Sequence, residues 1–104
     1  MSKNMNNILK QAQMMQQKMA ILQKELEARE LEISSGGGMI KIKITGKQEI
    51  QSIRIDKECV DPSDVETLET LVKTAVNQAV KESQEMVSSA MSKVTGGLSI
   101  PGLF

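Results

Sequence analysis

Four lysines at helical spacing carry the first chemistry legible in this chain. Lys3, Lys10, Lys18 and Lys24 fall within residues 1–24, a stretch without a single Asp or Glu, and Gln11, Gln13, Gln16, Gln17 and Gln23 lie between or beside them. Cations and amides on one helix can meet an anionic surface through charge and hydrogen bonds, without any step of covalent chemistry. Other reactive constellations are missing. The chain has no His and a single Cys, Cys59, which excludes the usual zinc sets, an internal disulfide and His-based nucleophilic catalysis. Asp61, Asp64 and Glu66 are accounted for by the start of a helix. Gly36-Gly37-Gly38 lacks the spacing of a phosphate loop and fits a hairpin connection. The expectation is therefore no catalytic residue, no metal ligand, no cofactor and no small-molecule substrate, hence not an enzyme. Phe104 is the only aromatic residue, so base stacking has nothing to work with and sequence-specific RNA reading is not expected.

The element that must position the lysines is a long amphipathic helix from about Asn4 to Arg29. Met5, Ile8, Ala12, Met15, Met19, Leu22 and Leu26 alternate steps of three and four, as heptad positions a and d. With Met5 at a, the residues Lys3, Lys10, Gln17 and Lys24 all take position f, farthest from that seam, and Lys18 lies beside them. Met14, Ile21 and Ala28 form a separate apolar line suited to core or dimer contact. The chain's eight Met residues read mainly as adaptable packing.

A change of period follows. Leu31 and Ile33 alternate with Glu30, Glu32 and Ser34, and Ile40, Ile42 and Ile44 alternate with Lys41, Lys43 and Thr45, the pattern of half-buried strands. A turn centred on Gly46-Lys47 leads to a third strand from about Glu49 to Asp56, with Ile53 and Ile55 inward and Ile50 falling on the outer face. On the outer face Lys41, Lys43, Lys47 and Arg54 are expected to pair with Glu30 or Glu32, the alternative being a second basic patch. The second long helix starts near Asp61-Pro62-Ser63-Asp64, capped by Asp61 or by a Ser63–Glu66 capping box. Val65, Leu68, Val72, Ala75, Ala79, Met86 and Ala90 carry it to about Lys93, and Gly96-Gly97 ends it. Residues 1–95 thus read as one domain and residues 96–104 as an apolar tail broken by Pro and Gly, either disordered or docking as a short peptide.

At 104 residues and zero net charge the chain is no simple polycation, and the positive stretch is a local footprint. It contains no apolar run of membrane-spanning length and no secretory h-region, so a cytoplasmic protein without membrane insertion is expected. Helices of 25–30 residues reach about 38–45 Å and outrun a small sheet. Their apolar seams would face water in a monomer, which a symmetric homodimer resolves.

In order and spacing the chain resembles the YbaB/EbfC family of bacterial nucleoid-associated proteins over nearly its whole length. The residues that carry the resemblance are Leu9-Lys10-Gln11-Ala12-Gln13 with Met14 to Met19, then Ile40 to Gly46 and Ile53-Arg54-Ile55-Asp56. Leu68-Glu69, Leu71-Val72, Ala75 to Ala79, Gly96-Gly97-Leu98 and Pro101-Gly102 complete it. The resemblance implies an α+β protomer, α-β-β-β-α, with two long helices and a three-stranded antiparallel sheet, assembled as a tweezer-like homodimer. It implies double-stranded DNA as partner, a nucleoid-organising role with influence on transcription, a cytoplasmic and nucleoid-associated location, and no catalysis. The expected DNA-contacting residues are Lys3, Lys10, Gln13, Gln17, Lys18 and Lys24, acting mainly on phosphates. The competing expectations are a homodimeric adaptor or chaperone that grips another protein through its apolar stripes and tail, and peripheral membrane binding by the first helix.

Overall fold

The computed structural model describes residues 2–95; the tail expected at 96–104 lies outside the described residues. The order is α1 (Ser2–Ala28), β1 (Glu30–Ser35), β2 (Ile40–Thr45), β3 (Ile50–Ile55), a short 3-10 turn (Lys57–Cys59) and α2 (Val65–Thr95). The α+β class and the α-β-β-β-α order expected from the sequence are present. The strands form one antiparallel sheet in the order β1-β2-β3.

The period-2 isoleucines of β2 make the core. Ile40, Ile42 and Ile44 are fully buried and, with Ile33 of β1, lie under Ala75 and Ala79 of α2. Small side chains at the centre of α2 allow the helix to approach, and the larger Leu71, Val72, Val76 and Val80 close the margins. The helix lies across β1 and β2. β3 falls outside its footprint, and all six of its residues are exposed.

The register corrects one expectation. Ile50 pairs with Ile44, Ile53 with Ile42 and Ile55 with Ile40, because a bulge between Lys43 and Ile44 inserts an extra residue, Gln51, in β3. The extra residue turns Ile50 back to the helix side of the sheet, so three isoleucines of β3 share the inner face. Thr45 departs from its strand's alternation too. It is buried rather than outward, since its Oγ1 accepts hydrogen bonds from the Lys47 and Glu49 N–H groups (both 3.3 Å) and holds the turn closed. In that turn the left-handed residue is Gln48 (φ 64°), not Gly46. Gly36, Gly37 and Gly38 all take positive φ (61°, 69° and 93°) and form the β1–β2 hairpin connection, a conformation glycine adopts without steric cost.

The start of α2 differs from both expected caps. Asp64 is the cap: its carboxylate accepts the Thr67 N–H (3.3 Å) and the Thr67 hydroxyl (2.6 Å). Asp61 instead closes the preceding loop, accepting from the N–H (2.9 Å) and hydroxyl (2.7 Å) of Ser63. Those donated hydrogen bonds favour the charged form and hold both carboxyls below their ordinary range.

One polar contact joins α2 to the sheet's rim. The buried Ser83 hydroxyl donates to the Thr45 carbonyl oxygen at 2.7 Å. Ser83→Ala is expected to cost about 1 kcal/mol, lowering Tm by about 4–8 °C for a domain of this size. A thermal melt followed by circular dichroism checks this, and an unchanged Tm would show the bond to be dispensable.

Candidate nucleic-acid interface

The helices leave the sheet together at the rim beside Gly46. The Gly46 N–H donates to the Arg29 carbonyl (3.0 Å), and a Cβ built on Gly46 would collide with the main chain of Leu26 and lie 3.2 Å from the Met86 methyl. α1 therefore arrives at the rim with its C-terminus, while α2 passes it at Ser83–Met86 and continues outward. The two pack against each other in opposite directions. From Ser83 to Thr95 α2 rises about 18 Å, whereas α1 extends about 36 Å from Leu26 back to Ser2. The molecule measures 75 × 22 × 16 Å, with a radius of gyration of 20.4 Å against the ~13 Å of a compact domain this long.

That geometry divides the expected seam of α1. Leu26 is buried and Met15, Met19 and Leu22 are half-buried, on the stretch that runs alongside α2, where Met86, Val87, Ala90, Met91 and Val94 are half-buried in turn. Nearer the free end, Met5, Ile8 and Ala12 are exposed, and so is Leu9. Met14, Ile21 and Ala28 are exposed as well, so this line is not part of the protomer's core.

On the projecting helix Lys10, Gln13, Gln17, Lys18 and Lys24 are all exposed. Lys3 lies in the first turn of α1, and its side chain falls outside the described residues. None of Lys10, Lys18 and Lys24 forms an ion pair among the described residues, where the one salt bridge joins Lys43 to Glu30 at 3.9 Å. The acidic residues gather at the base, with Glu25 and Glu27 in the last turns of α1 and Glu30 and Glu32 on β1. Charge thus separates along α1, positive on the part that stands clear of the sheet. At ionic strengths near 0.15 M the screening length is about 8 Å, so an anion near Lys10 is shielded from carboxylates some 20 Å away. The surface can hold phosphates electrostatically.

Elsewhere no metal-binding arrangement arises among the described residues. No group of three or more His, Cys, Asp or Glu side chains could hold a metal ion. Cys59 is partly buried against the core and donates its Sγ–H to the Asp56 carbonyl (3.1 Å), a structural position. No described helix is long and apolar enough to cross a membrane.

Comparison with known proteins finds relatives over nearly the whole chain. A nucleoid-associated protein of Desulforamulus reducens is 57% identical over 104 residues, covering 100% of this chain and 99% of the relative. One from Alkaliphilus metalliredigens is 54% identical over 101 residues, covering 97% of this chain and 89% of its own length. The crystal structure of an uncharacterized protein, HP0035 from Helicobacter pylori, shares the fold, with a TM-score of 0.61 at 22% identity over 76% of this chain and 92% of that one. Residues 1–98 match the YbaB/EbfC DNA-binding family, and with relatives of this similarity the chain belongs to that family.

Proposed function

We propose that the protein works as a homodimer that binds duplex DNA mainly through phosphate contacts from α1 and organises the nucleoid in the cytoplasm. The observation that carries this reading is the exposed run of Lys10, Gln13, Gln17, Lys18 and Lys24 on the projecting helix; Lys3, in the first turn of the same helix, is included in the proposal on its sequence position alone. Family membership and the name of its relatives, nucleoid-associated proteins, support DNA as the ligand. Contacts to phosphate position a protein without reading sequence, so binding is weakly selective and steeply dependent on salt. Influence on transcription would follow from occupancy and DNA shape rather than from operator recognition.

The dimer has its own support in β3. Ile50, Ile53 and Ile55 are 40%, 42% and 42% exposed on the inner face, next to an edge with a free row of N–H and C=O groups. An exposed edge with apolar side chains is a pairing template. A second copy joining β3 to β3 about a two-fold axis satisfies the edge and covers the isoleucines, and it closes the assembly so that no further edge of this kind remains. Two α1 helices then stand on one body as the arms of a tweezer. Ile53→Lys is expected to give a monomer, with sedimentation mass halved at micromolar concentration. A dimer of unchanged mass would place the interface elsewhere.

Sedimentation of the wild type together with a salt-titrated DNA-binding curve tests the whole reading. A dimer whose log affinity falls linearly with log salt, by about 0.9 per phosphate contact, supports it. Lack of any DNA binding at low salt would sink it. The exposed Met5, Ile8 and Leu9 favour a second reading in that event, a homodimeric adaptor that grips another protein with its helix tips.

A further inference from the structure

The outward face of the sheet holds a second set of cations that α1 does not use. Its cross-strand rows are fixed by register: Glu32, Lys43 and Ser52 form one row, and Ser34, Lys41 and Arg54 the next. The first row is balanced, with Glu32 in register with Lys43 and Glu30 bridged to the same ammonium at 3.9 Å. The second row sets Lys41 directly opposite Arg54, and its third member is an uncharged serine. Like charges in register are destabilising. A carboxylate at position 34 would relieve the pair, yet neither cation has an ion-pair partner among the described residues.

Two other carboxylates adjoin the row. Glu32 lies diagonally across on β1. Asp56 follows β3, and its Oδ1 already accepts the Glu58 N–H at 2.9 Å as the cap of the 3-10 turn. Charge is therefore sorted across the face, acidic on β1 and basic on β2 and β3. Lys41, Lys43 and Arg54 line a shallow depression of about 400 Å³ with Glu32 and Ser52. The small side chains of Ser34 and Ser52 and the neighbouring Gly38 leave the cations open to a broad surface rather than to a small enclosed ligand. A continuous polyanion fits that shape.

We infer that the outward face of β2 and β3, through Lys41 and Arg54 with Lys43 beside them, is a second phosphate-contacting surface for duplex DNA. The inference rests on the DNA-binding reading above and adds a surface to it. Lys41 lies toward the hairpin tip of the sheet, at the opposite end of the long axis from the free end of α1. Rising about 27 Å along α1 from Lys10 to Ala28 and about 13 Å along β2 from Thr45 to Lys41, the two cationic sites are some 40 Å apart. One dimer thereby offers DNA contacts at both ends, the arrangement needed to bridge two duplex segments. If β3 pairs with β3 of a second copy, the two basic halves meet at the centre of a six-stranded face, and β1 carries the acidic residues to its margins.

The test compares wild type, Lys41→Gln/Arg54→Gln and Lys10→Glu/Lys18→Glu in salt-titrated binding to a 30-base-pair duplex, with a bead-bound duplex capturing a free one as the bridging assay. The sheet double variant is expected to lose about 1.8 of the salt slope per protomer engaged, so that its shortfall against wild type is roughly tenfold greater at 50 than at 200 mM salt. It is also expected to lose bridging, while its Tm stays equal to or above wild type because a like-charge pair is gone. Ser34→Glu leaves both cations in place and supplies the missing carboxylate; weaker DNA binding by this variant supports the same site. Wild-type affinity, slope and bridging in the glutamine variant would overturn the inference and leave the α1 reading intact. Failure of the wild type to bind DNA overturns both. Polyglutamate competing as well as DNA for the wild-type face would instead identify an acidic protein as its partner and overturn the DNA assignment.

Discussion

Lys10→Glu/Lys18→Glu is expected to weaken duplex DNA binding on the order of 100-fold at 200 mM salt. Each lysine is exposed on the part of α1 that stands away from the acidic base, and neither is engaged in an ion pair among the described residues. Two cations per protomer make four per dimer, and four phosphate contacts account for about 3.6 of the salt slope, which scaled from 1 M gives a shortfall of about two to three orders of magnitude at 200 mM and a larger one at 50 mM. Charge reversal adds repulsion to that loss. Folding is expected to be nearly unaffected, because Glu and Lys have similar helix propensities and both positions face water. A gel shift at two salt concentrations, with a thermal melt alongside, separates the effects. Unchanged affinity in a folded double variant would refute the α1 assignment.

The largest structural effect is expected at Gly46. An added Cβ would be driven into the Leu26 carbonyl, its carbon 2.7 Å away, and only the third neighbour, the Met86 methyl, can move aside cheaply. Relief requires the main chain of α1 and the β2–β3 turn to separate, which strains the Gly46 N–H to Arg29 carbonyl bond that sets where α1 leaves the sheet. Gly46→Ala is expected to cost about 3 kcal/mol, at the upper end of the range for overpacking, and to lower Tm by at least 10 °C or so. Gly37→Ala is the control. Nothing lies within 4 Å of its added Cβ, so only its left-handed φ of 69° is penalised, by about 1–2 kcal/mol. A Gly46→Ala protein as stable as wild type would mean that the two chains can separate at little cost.

These two sites differ in how they can be found. Lys10 and Lys18 are visible in a heptad count, because the helix period fixes which residues share a face and the absence of acids before Glu25 is a matter of composition. Gly46 can be assigned to a turn from its neighbours, but the turn's left-handed residue proved to be Gln48. Its role is close approach, which depends on a helix 20 residues earlier. Ser83 carried a weak signal. It falls on the buried phase of α2 between Ala79 and Met86, where a lone polar residue implies a partner, though nothing local names Thr45 as that partner. Three capping residues crowd Asp61 to Asp64, and the local pattern could not rank them. The Thr67 side chain decides it by bonding Asp64 a second time.

What the sequence determined by itself are the features written in local periodicity: two long helices, three strands, the apolar faces of the helices, of β1 and of most of β2, and a positive stripe on α1. Backbone geometry converts spacing into a face without reference to the rest of the chain. The tertiary structure alone decided what each face meets. The bulge at Gln51 turned Ile50 inward, α2 settled over β1 and β2 and left β3 uncovered, and the Gly46 junction directed α1 away from the sheet. Only register could show that Lys43 has its carboxylates while Lys41 and Arg54 face each other. The physical reason is common to all of these. Packing angle, strand register and close approach couple residues tens of positions apart, and such couplings leave no periodic trace in the chain.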